Sequence, residues 1–294
     1  MIRVSSRQEL HDSLARLKTP AARVGFVPTM GYLHEGHASL IRLARQTSDL
    51  VVVSIFVNPK QFGPNEDLDR YPRDLDRDMQ LCESEGVDLL FTPQPEDVYP
   101  PGFRTEVSVA GLTEPLCGES RPGHFTGVTT VVARLFGLVQ PDRAFFGQKD
   151  FQQWRVIAQM VDDLALPVEV VRAPIVREAD GLALSSRNTY LSSEDRSRAL
   201  ALSRALAQAM RAYVDGERSA ERLLAAARSA LTSVELEYLE LRDADSLQPV
   251  STLDGPAVMA VAARVGKTRL IDNALLAPES PDRGLPRLLE GAAL

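Results

Sequence analysis

Apolar residues in the first half of the chain follow two spacings in turn, one typical of helices and one typical of buried strands. A capping-box pattern at 6–9 precedes leucines at helical spacing, so a helix is expected to start there. A short strand over 23–27 is expected to break at Pro28, and the next helix to begin near Gly36. The β-branched run at 51–57 predicts a fully buried strand. Because strands and helices keep alternating, the pattern predicts an α/β fold with a parallel sheet covered by helices on both faces.

The pattern changes after a polar loop at 177–192. Two amphipathic helices come first, and strands with period-two alternation follow them. The runs 257–263 and 268–272 flank Gly266 and Lys267, an arrangement typical of a hairpin. Helices followed by an antiparallel sheet predict a smaller α+β domain.

These two patterns divide the chain near residue 175. An α/β domain is predicted over 1–175 and a second, α+β domain over 176–294. The tail from Ala277 is rich in proline, and we expect it to be poorly packed.

The charge balance is acidic, since 33 basic and 40 acidic side chains give the 294 residues a formal net charge of −7. Nucleic acids and anionic membranes are bound mainly by neutralising phosphates, so neither is an expected partner. The longest apolar runs have eight residues, far fewer than the ~20 that span a bilayer. No signal-peptide pattern is visible, and two cysteines suit a reducing compartment, so a cytoplasmic location is expected.

The segment PTMGYLHEGH at 28–37 is the most informative part of the sequence. Gly36 lets a ligand approach the backbone where a helix begins, and unpaired N–H groups there attract anions. His34 and His37 frame that glycine at a turn between strand and helix, which is where open α/β sheets bind ligands. Imidazoles at this point can stabilise charge on a phosphate. The alternative is that they only cap the helix or fill the core.

A second segment, GQKD at 147–150, also lies between a strand and a helix. Lys149 is one of only four lysines in the chain, and Gly147 keeps the turn open. Asp150 can cap the helix or accept ribose hydroxyls. The alternative is a solvated surface lysine.

The third segment, EADGLALSSRN at 178–188, joins the two predicted domains. It carries Ser185, Ser186 and Arg187, and hydroxyls beside a guanidinium suit a polyphosphate. Helix-capping serines and a surface arginine are the alternative interpretation.

Two weaker candidates lie elsewhere. The long loop 58–78 is rich in carboxylates, and loops of this length are usually functional or disordered. Within it, Gln61 is a candidate for binding a polar substrate and Asp78 a candidate Mg²⁺ ligand, while either can also be a solvated surface residue. Arg121 and His124 flank a Pro-Gly pair, which suits an intersubunit or lid role or, alternatively, a structural hydrogen bond by His124.

Taken together, four motifs resemble the pantoate–β-alanine ligase (pantothenate synthetase) family, from about residue 20 to about residue 275. They are PTMGYLHEGH at 28–37, RPGHF at 121–125, FFGQKDFQQ at 145–153 and LSSRNTYLS at 184–192. The HxGH element alone is less specific, because the wider nucleotidyltransferase superfamily shares it. The resemblance implies a Rossmann-like first domain, a C-terminal lid domain and a homodimer.

The resemblance also implies a two-step reaction with Mg²⁺ and ATP. The carboxylate of (R)-pantoate attacks the α-phosphorus of ATP, which gives pantoyl adenylate and pyrophosphate. The amine of β-alanine then displaces AMP and forms pantothenate.

Site residues follow from the same resemblance. His37 would donate a proton, His34 would stabilise the α-phosphate, and Val176 would touch adenine through its backbone. Gln61 and Gln153 would bind pantoate, with Gln61 also near β-alanine. The implied catalytic residues are His34, His37, Lys149, Ser185 and Arg187. The implied ATP-binding residues are Met30, Gly31, Tyr32, Leu33, His34, Glu35, Gly36, His37, Gly147, Gln148, Lys149, Asp150, Val176, Leu184, Ser185, Ser186 and Arg187.

Two positions depart from the common family pattern. Gln148 stands where a glutamate is common and Cys117 where an acidic residue often stands, and the role of both is left open. One rival function is another HxGH nucleotidyltransferase that adenylylates a small carboxylate or phosphate; a tRNA-charging enzyme would need an RNA-binding surface that an acidic chain lacks. The other rival is a regulatory nucleotide-binding module, which would not need two histidines, Lys149 and Arg187 at one site.

Overall fold

A computed structural model describes residues 1–64, 66–278, 282 and 285. The strands are β1 Ile2–Val4, β2 Val24–Thr29, β3 Leu50–Ile55, β4 Leu89–Phe91, β5 Arg143–Gly147, β6 Glu169–Ala173, β7 Glu235–Asp243, β8 Ala257–Val265 and β9 Thr268–Leu276. The helices are α1 Arg7–Leu17, α2 Glu35–Thr47, α3 Leu75–Ser84, α4 Pro95–Val98, α5 Cys117–Ser120, α6 His124–Val139, α7 Phe151–Asp163, α8 Ser193–Val214 and α9 Ala220–Arg228.

The chain divides into two compact units. Unit 1 comprises Met1–Gly147 and Gln152–Ala173, and unit 2 comprises Gln148–Phe151 with the described residues from Pro174 onward. The short segment Gln148–Phe151 therefore groups with unit 2 although the strand before it belongs to unit 1. The predicted domain boundary near residue 175 stays a prediction.

Unit 1 contains, within the described residues, a six-stranded parallel sheet in the order β1-β4-β3-β2-β5-β6. The predicted α/β fold is confirmed. Strand order reverses between β2 and β5, and open α/β sheets bind ligands at such a switch point. The ladder between these two strands covers only Gly25 and Phe26 with Arg143 and Ala144. The loops after both strands therefore leave the sheet at the position where a ligand is expected.

Two details of unit 1 differ from the sequence prediction. β1 is absent from that prediction, because three residues at a sheet edge carry too short a pattern. β2 continues through Pro28 to Thr29, so the predicted break at Pro28 is wrong. At this point β2 is paired with β3 but has left the ladder with β5. A residue without an N–H is tolerated on a flank that has no partner strand.

Unit 2 packs α8 and α9 against the antiparallel sheet β7-β8-β9, as predicted for an α+β unit. The hairpin between β8 and β9 turns at Gly266 and Lys267, which confirms its predicted position. The last strand runs four residues beyond the predicted end, to Leu276, because its apolar side chains complete the core of this unit.

The predicted loose packing of the tail is wrong for three of its four described residues, since only Pro278 among them is exposed. Ala277, Asp282 and Leu285 are buried, while the rest of the tail beyond Pro278 lies outside the described residues. Over the part of the chain that the structure describes, each helix is too short or too polar to cross a bilayer.

Candidate active site

The HxGH segment of unit 1 is organised by the start of α2. His34 is the N-cap of this helix, and its Nδ1 accepts a hydrogen bond from the backbone N–H of Gly36 at 3.1 Å. The Nδ1 of His37 in turn accepts from the backbone N–H of His34 at 3.3 Å. The two rings lie close together, with centroids 4.2 Å apart.

These contacts assign the same tautomer to both imidazoles. A nitrogen that accepts an N–H cannot carry the ring proton, so the neutral rings of His34 and His37 are protonated at Nε2. The N–H donor of each neutral ring is therefore at Nε2. The capping interpretation is correct for His34, whose Nδ1 makes the cap hydrogen bond.

The loop that leads into α2 is held in an unusual backbone conformation. Gly31 has φ 84° and Tyr32 has φ 52°, a region that non-glycine residues seldom adopt. A Cβ on Gly31 would lie 2.9 Å from the Cγ2 of Ile55, so a side chain is excluded there by space as well as by φ. The strain at Tyr32 must be offset by fixed contacts nearby.

Asp78 supplies those contacts from α3. Its Oδ2 accepts from the N–H of Tyr32 at 2.7 Å and its Oδ1 from the N–H of Leu33 at 2.6 Å. The residue is 1 % exposed, so its interpretation as a solvated surface residue is wrong. Burial raises the pKa of this carboxyl group, and the two N–H groups oppose that shift. Because both oxygens hold the loop, this geometry does not support the assignment of Asp78 as an Mg²⁺ ligand.

Two predicted ATP-binding residues of this loop point elsewhere. The side chain of Leu33 is fully buried in the core of unit 1. The carboxylate of Glu35 forms an ion pair with Arg42 on the same helix, and this hydrogen bond lowers the pKa of Glu35. Direct contact with a ligand is thus confined to the backbone for Leu33, and the side chain of Glu35 is engaged by Arg42.

Gln61 lies in the 3₁₀ turn Pro59–Gln61 and is 9 % exposed, so its interpretation as a surface residue is wrong. Its Oε1 accepts from Asn58 at 3.0 Å, and its Nε2 lies 3.1 Å from the sulfur of Met30. Unit 1 therefore brings Gln61 together with the HxGH loop. Asn58 also accepts from the hydroxyl of Tyr99 at 2.8 Å, which fixes the orientation of its amide.

The backbone of Gln61 is held against α6. Its carbonyl accepts from His124 Nδ1 at 2.9 Å and from Arg121 at 3.3 Å. A Cβ on Gly127 would lie 2.3 Å from the carbonyl oxygen of Lys60, so only glycine permits this close approach.

His124 is a structural residue here, as one of the two sequence interpretations held. Its Nε2 accepts from Arg121 at 2.9 Å, which leaves Nδ1 to donate to the Gln61 carbonyl. Arg121 itself donates hydrogen bonds to both carboxylate oxygens of Glu66, at 2.7 and 2.6 Å. Burial acts to raise the pKa of Glu66, but Arg121 outweighs burial and lowers it.

Gln153 lies half-buried in the first turn of α7. Its neighbour Gln152 is buried and accepts from the backbone N–H of Cys117 at 3.0 Å, while it donates to the carbonyls of Leu112 and Pro115. Cys117 is thus held through its backbone, and its side chain is 8 % exposed.

In unit 2, the segment Gln148–Asp150 forms a 3₁₀ turn. The side chain of Lys149 is 20 % exposed and lies 3.7 Å from a carboxylate oxygen of Asp150, so the solvated surface interpretation is wrong. Gln148 is 1 % exposed and donates to Asp282 at 2.5 Å. Its side chain is therefore engaged inside unit 2, although it was predicted to bind ATP.

The loop carrying the third motif is closed by backbone contacts. Leu184 N–H donates to the Val176 carbonyl at 3.0 Å, which brings two predicted ATP-binding residues together. Ser185 caps the following 3₁₀ turn and accepts from the N–H of Arg187 at 3.3 Å. Ser186 is buried, and Arg187 is half-buried.

Some supporting residues were missed by the sequence prediction. Asn58 and Asn273 are both buried asparagines that hold a motif in place. A signal was available for Asn273, because Asp272 and Asn273 interrupt the apolar residues of 270–276, and a buried polar pair needs hydrogen-bond partners. Asn58 offers no comparable signal beyond its position before a proline.

No group of three or more His, Cys, Asp or Glu side chains among the described residues is arranged to hold a metal ion. Magnesium is commonly held by substrate phosphates with only one or two carboxylates. The described residues thus do not form a dedicated Mg²⁺ cage.

Comparison with known proteins agrees with the motifs. A family model described as pantoate-beta-alanine ligase matches residues 3–275. Pantothenate synthetase of Trichlorobacter lovleyi is 55 % identical over 272 residues, which cover 92 % of this chain and 96 % of the relative.

Solved structures show the same relationship. The crystal structure of pantothenate synthetase from Thermus thermophilus superimposes with a TM-score of 0.90 at 51 % identity, covering 95 % of this chain and 100 % of that one. Pantoate-beta-alanine ligase from Francisella tularensis, solved in complex with beta-gamma ATP and beta-alanine, has a TM-score of 0.75 at 35 % identity, covering 94 % and 97 % of the two chains.

Proposed function

The chain belongs to the pantoate–β-alanine ligase family, and from this we propose that it joins (R)-pantoate to β-alanine with ATP, releasing AMP and pyrophosphate. The observation that carries the proposal is the pair of imidazoles at the start of α2. Both accept backbone N–H groups at Nδ1, so each neutral ring carries its proton at Nε2, the atom that we propose donates to a phosphate. ATP and β-alanine are the ligands of the Francisella relative.

The proposed reaction activates the carboxylate of pantoate before the amine attacks it. A carboxylate is a poor acylating agent, because its charge repels an amine and an oxide is a poor leaving group. Attack of pantoate on the α-phosphorus of ATP converts it to a mixed anhydride whose leaving group is AMP. Attack by the β-alanine amine then forms the amide bond and releases AMP.

The residues of unit 1 take the following roles in this proposal. His34 and His37 donate from Nε2 to phosphate oxygens, with His37 also supplying a proton. Gln61, held rigidly by Asn58 and α6, and Gln153 bind the polar groups of pantoate, with Gln61 near β-alanine. Burial of Gln61 supports this role, because a fixed amide discriminates hydroxyl and carboxylate positions better than a mobile one.

The residues of unit 2 complete the set. Lys149 and Arg187 supply positive charge to phosphates, and Ser185 supplies a hydroxyl. Val176, Leu184, Ser186 and the turn Gln148–Asp150 contribute to binding ATP, as does Gly147 of unit 1. The net charge of the chain is negative, so in this proposal a few cationic side chains at the site attract the anionic nucleotide.

The proposal also covers the metal ion, the oligomeric state and the location of the protein. Mg²⁺ is proposed to enter with ATP as part of the substrate, as the family resemblance implies. A homodimer rests on the family resemblance, and a cytoplasmic location on the sequence argument from cysteine usage.

Release of pyrophosphate from ATP tests the reaction directly. We expect release only when (R)-pantoate is present, and AMP with pantothenate once β-alanine is added. Omission of pantoate and its replacement by a shorter hydroxy acid are the matched controls. Pyrophosphate release that is independent of pantoate would contradict the proposal. It would favour the rival function, in which the chain is another HxGH nucleotidyltransferase that adenylylates a small carboxylate or phosphate.

A further inference from the structure

Two adjacent polar residues interrupt the apolar stretch 270–276 of strand β9 in unit 2. Asp272 is 4 % exposed and Asn273 is 2 % exposed, while the strand around them contributes to the hydrophobic core. Burying a carboxylate or an amide destabilises a fold unless each polar atom is paired. The partners of these two side chains therefore indicate what they hold in place.

Asn273 holds the turn that carries Lys149. Its Nδ2 donates to the carbonyl oxygens of both Gln148 and Lys149, each at 2.9 Å. Its Oδ1 lies 3.5 Å from the side-chain Nε2 of Gln148. Both protons of the amide are thus used on two consecutive carbonyls, which fixes the backbone from which the Lys149 side chain projects.

Asp272 holds the base of the other motif. Its two oxygens accept from Arg177 at 2.6 and 2.9 Å, a bidentate pair in which both residues are largely buried. Arg177 also donates to the Gly181 carbonyl, and its backbone forms a β-bridge with Ala183. Burial opposes the charge of Arg177, but Asp272 outweighs it and raises the pKa of the guanidinium. The ion pair therefore closes the loop that leads to Ser185 and Arg187.

The two anchors are also joined to each other. The backbone N–H of Asn273 donates to the Oδ1 of Asp272 at 2.8 Å, and its carbonyl accepts from Arg177 at 3.5 Å. One short stretch of β9 thus contacts both segments that are proposed to bind phosphates in unit 2.

We propose that Asp272 and Asn273 are positioning residues, which hold the Lys149 turn and the Ser185–Arg187 loop in the geometry that binds ATP. They act through the backbone of other residues and do not touch the substrate. This inference rests on the proposed function, since that function places ATP on these two segments.

The sharpest test is Asn273→Asp, which keeps the size of the side chain but removes both donors. The new carboxylate would oppose two carbonyl oxygens, so the Lys149 turn should shift. We expect kcat/KM for ATP to fall about tenfold or more, the scale of losing two hydrogen bonds, with the KM for ATP raised and the KM for β-alanine unchanged. Asp272→Asn, which weakens the pair with Arg177, should raise the KM for ATP by a smaller factor.

The control is Glu237→Gln, an acid-to-amide change in the same sheet. Glu237 pairs with Arg269 of β9, outside the Asp272–Asn273 pair. We expect its KM for ATP to match that of the wild type. A purely structural role for Asn273 predicts a different result: kcat falls with the folded fraction while the KM for ATP stays constant. That result, or an unchanged KM in both variants, overturns the proposal.

Calorimetric titration with ATP alone separates this inference from the proposed function. If the wild type binds ATP but releases pyrophosphate without pantoate, the proposed function fails, and a weaker ATP affinity of Asn273→Asp still supports the positioning role. If the variant folds and binds ATP as tightly as the wild type, the positioning role is wrong whatever the reaction. Should Asn273→Asp not fold, Asp272→Asn carries the same test.

Discussion

The two units hold their motifs with opposite chemistry. In unit 1, a carboxylate, Asp78, accepts from two consecutive backbone N–H groups of the HxGH loop. In unit 2, an amide, Asn273, donates to two consecutive backbone carbonyls of the Lys149 turn. In each case one buried side chain from a distant part of the chain satisfies two backbone groups that a loop leaves unpaired.

The difference follows from which backbone groups the loop turns inward. Inward N–H groups need an acceptor and inward carbonyls need a donor, because an unpaired buried polar group costs about 1–3 kcal/mol. The choice has a consequence for pH, since the carboxyl group of Asp78 titrates and the amide of Asn273 does not. The HxGH loop should therefore respond to pH through its anchor.

The largest expected effect comes from removing the ligand-binding groups themselves, one in each unit. His37→Ala and Lys149→Ala should each lower turnover by on the order of 10²-fold or more, as expected for losing a group that stabilises transition-state charge. Steady-state kinetics measures the turnover of each variant, and thermal unfolding shows whether its fold is intact. Near-normal rates in one variant would mean that only the other unit contributes to the chemistry.

The second effect concerns the close contact in unit 1 between Gly127 and the backbone of Lys60 and Gln61. Gly127→Ala should destabilise the fold by about 1–3 kcal/mol through overpacking and should raise the KM for pantoate, because the added Cβ pushes on the Gln61 turn. Chemical denaturation and substrate kinetics measure the two effects.

Gly137 in the same helix is the matched control. An added Cβ there meets no described atom within 4 Å, so Gly137→Ala should stabilise α6 by about 0.5–1 kcal/mol and leave the KM for pantoate unchanged. Equal effects of the two substitutions would show that the contact of Gly127 with the turn is unimportant.

The smallest effect sharpens the contrast between the two anchors. Asp78→Asn keeps one acceptor oxygen and places an NH₂ group against a backbone N–H, so kcat/KM for ATP should fall about tenfold. The substitution should also change how the free energy of unfolding depends on pH. Burial raises the pKa of Asp78 in the folded state, so its stabilising contribution is present at low pH and is lost as pH rises through that pKa. Asn does not titrate, so the variant should gain stability relative to the wild type between acidic and neutral pH.

Asp74→Asn, an identical change at the N-cap of α3, is the control, because Asn and Asp cap helices equally well. It should leave activity unchanged. If Asp78→Asn left activity as unchanged as Asp74→Asn, the carboxylate of Asp78 would not be the anchor of the HxGH loop.

Much of the architecture was predictable because its signals are local. Alternating spacings of apolar residues predicted both the parallel sheet of unit 1 and the helices and hairpin of unit 2, and the hairpin turn fell at Gly266 and Lys267. The family was identified from four motifs, and the comparisons confirm it. Boundaries were weaker where pairing decides them, as at Pro28, whose place in β2 depends on which neighbouring strand is present.

The amino-acid order alone therefore settled the class of fold, the family and the motifs that carry the chemistry, since hydrophobic periodicity and short motifs are written in neighbouring residues. The tertiary structure decided how those motifs are held. Asp78 lies 46 residues from Tyr32 and Asn273 lies 124 residues from Lys149 along the chain. No local pattern joins such positions, because a buried hydrogen bond depends on which groups the fold removes from water together. For that reason Asp78 looked like a surface carboxylate or a metal ligand in the sequence, and only the folded chain shows it as the anchor of the HxGH loop.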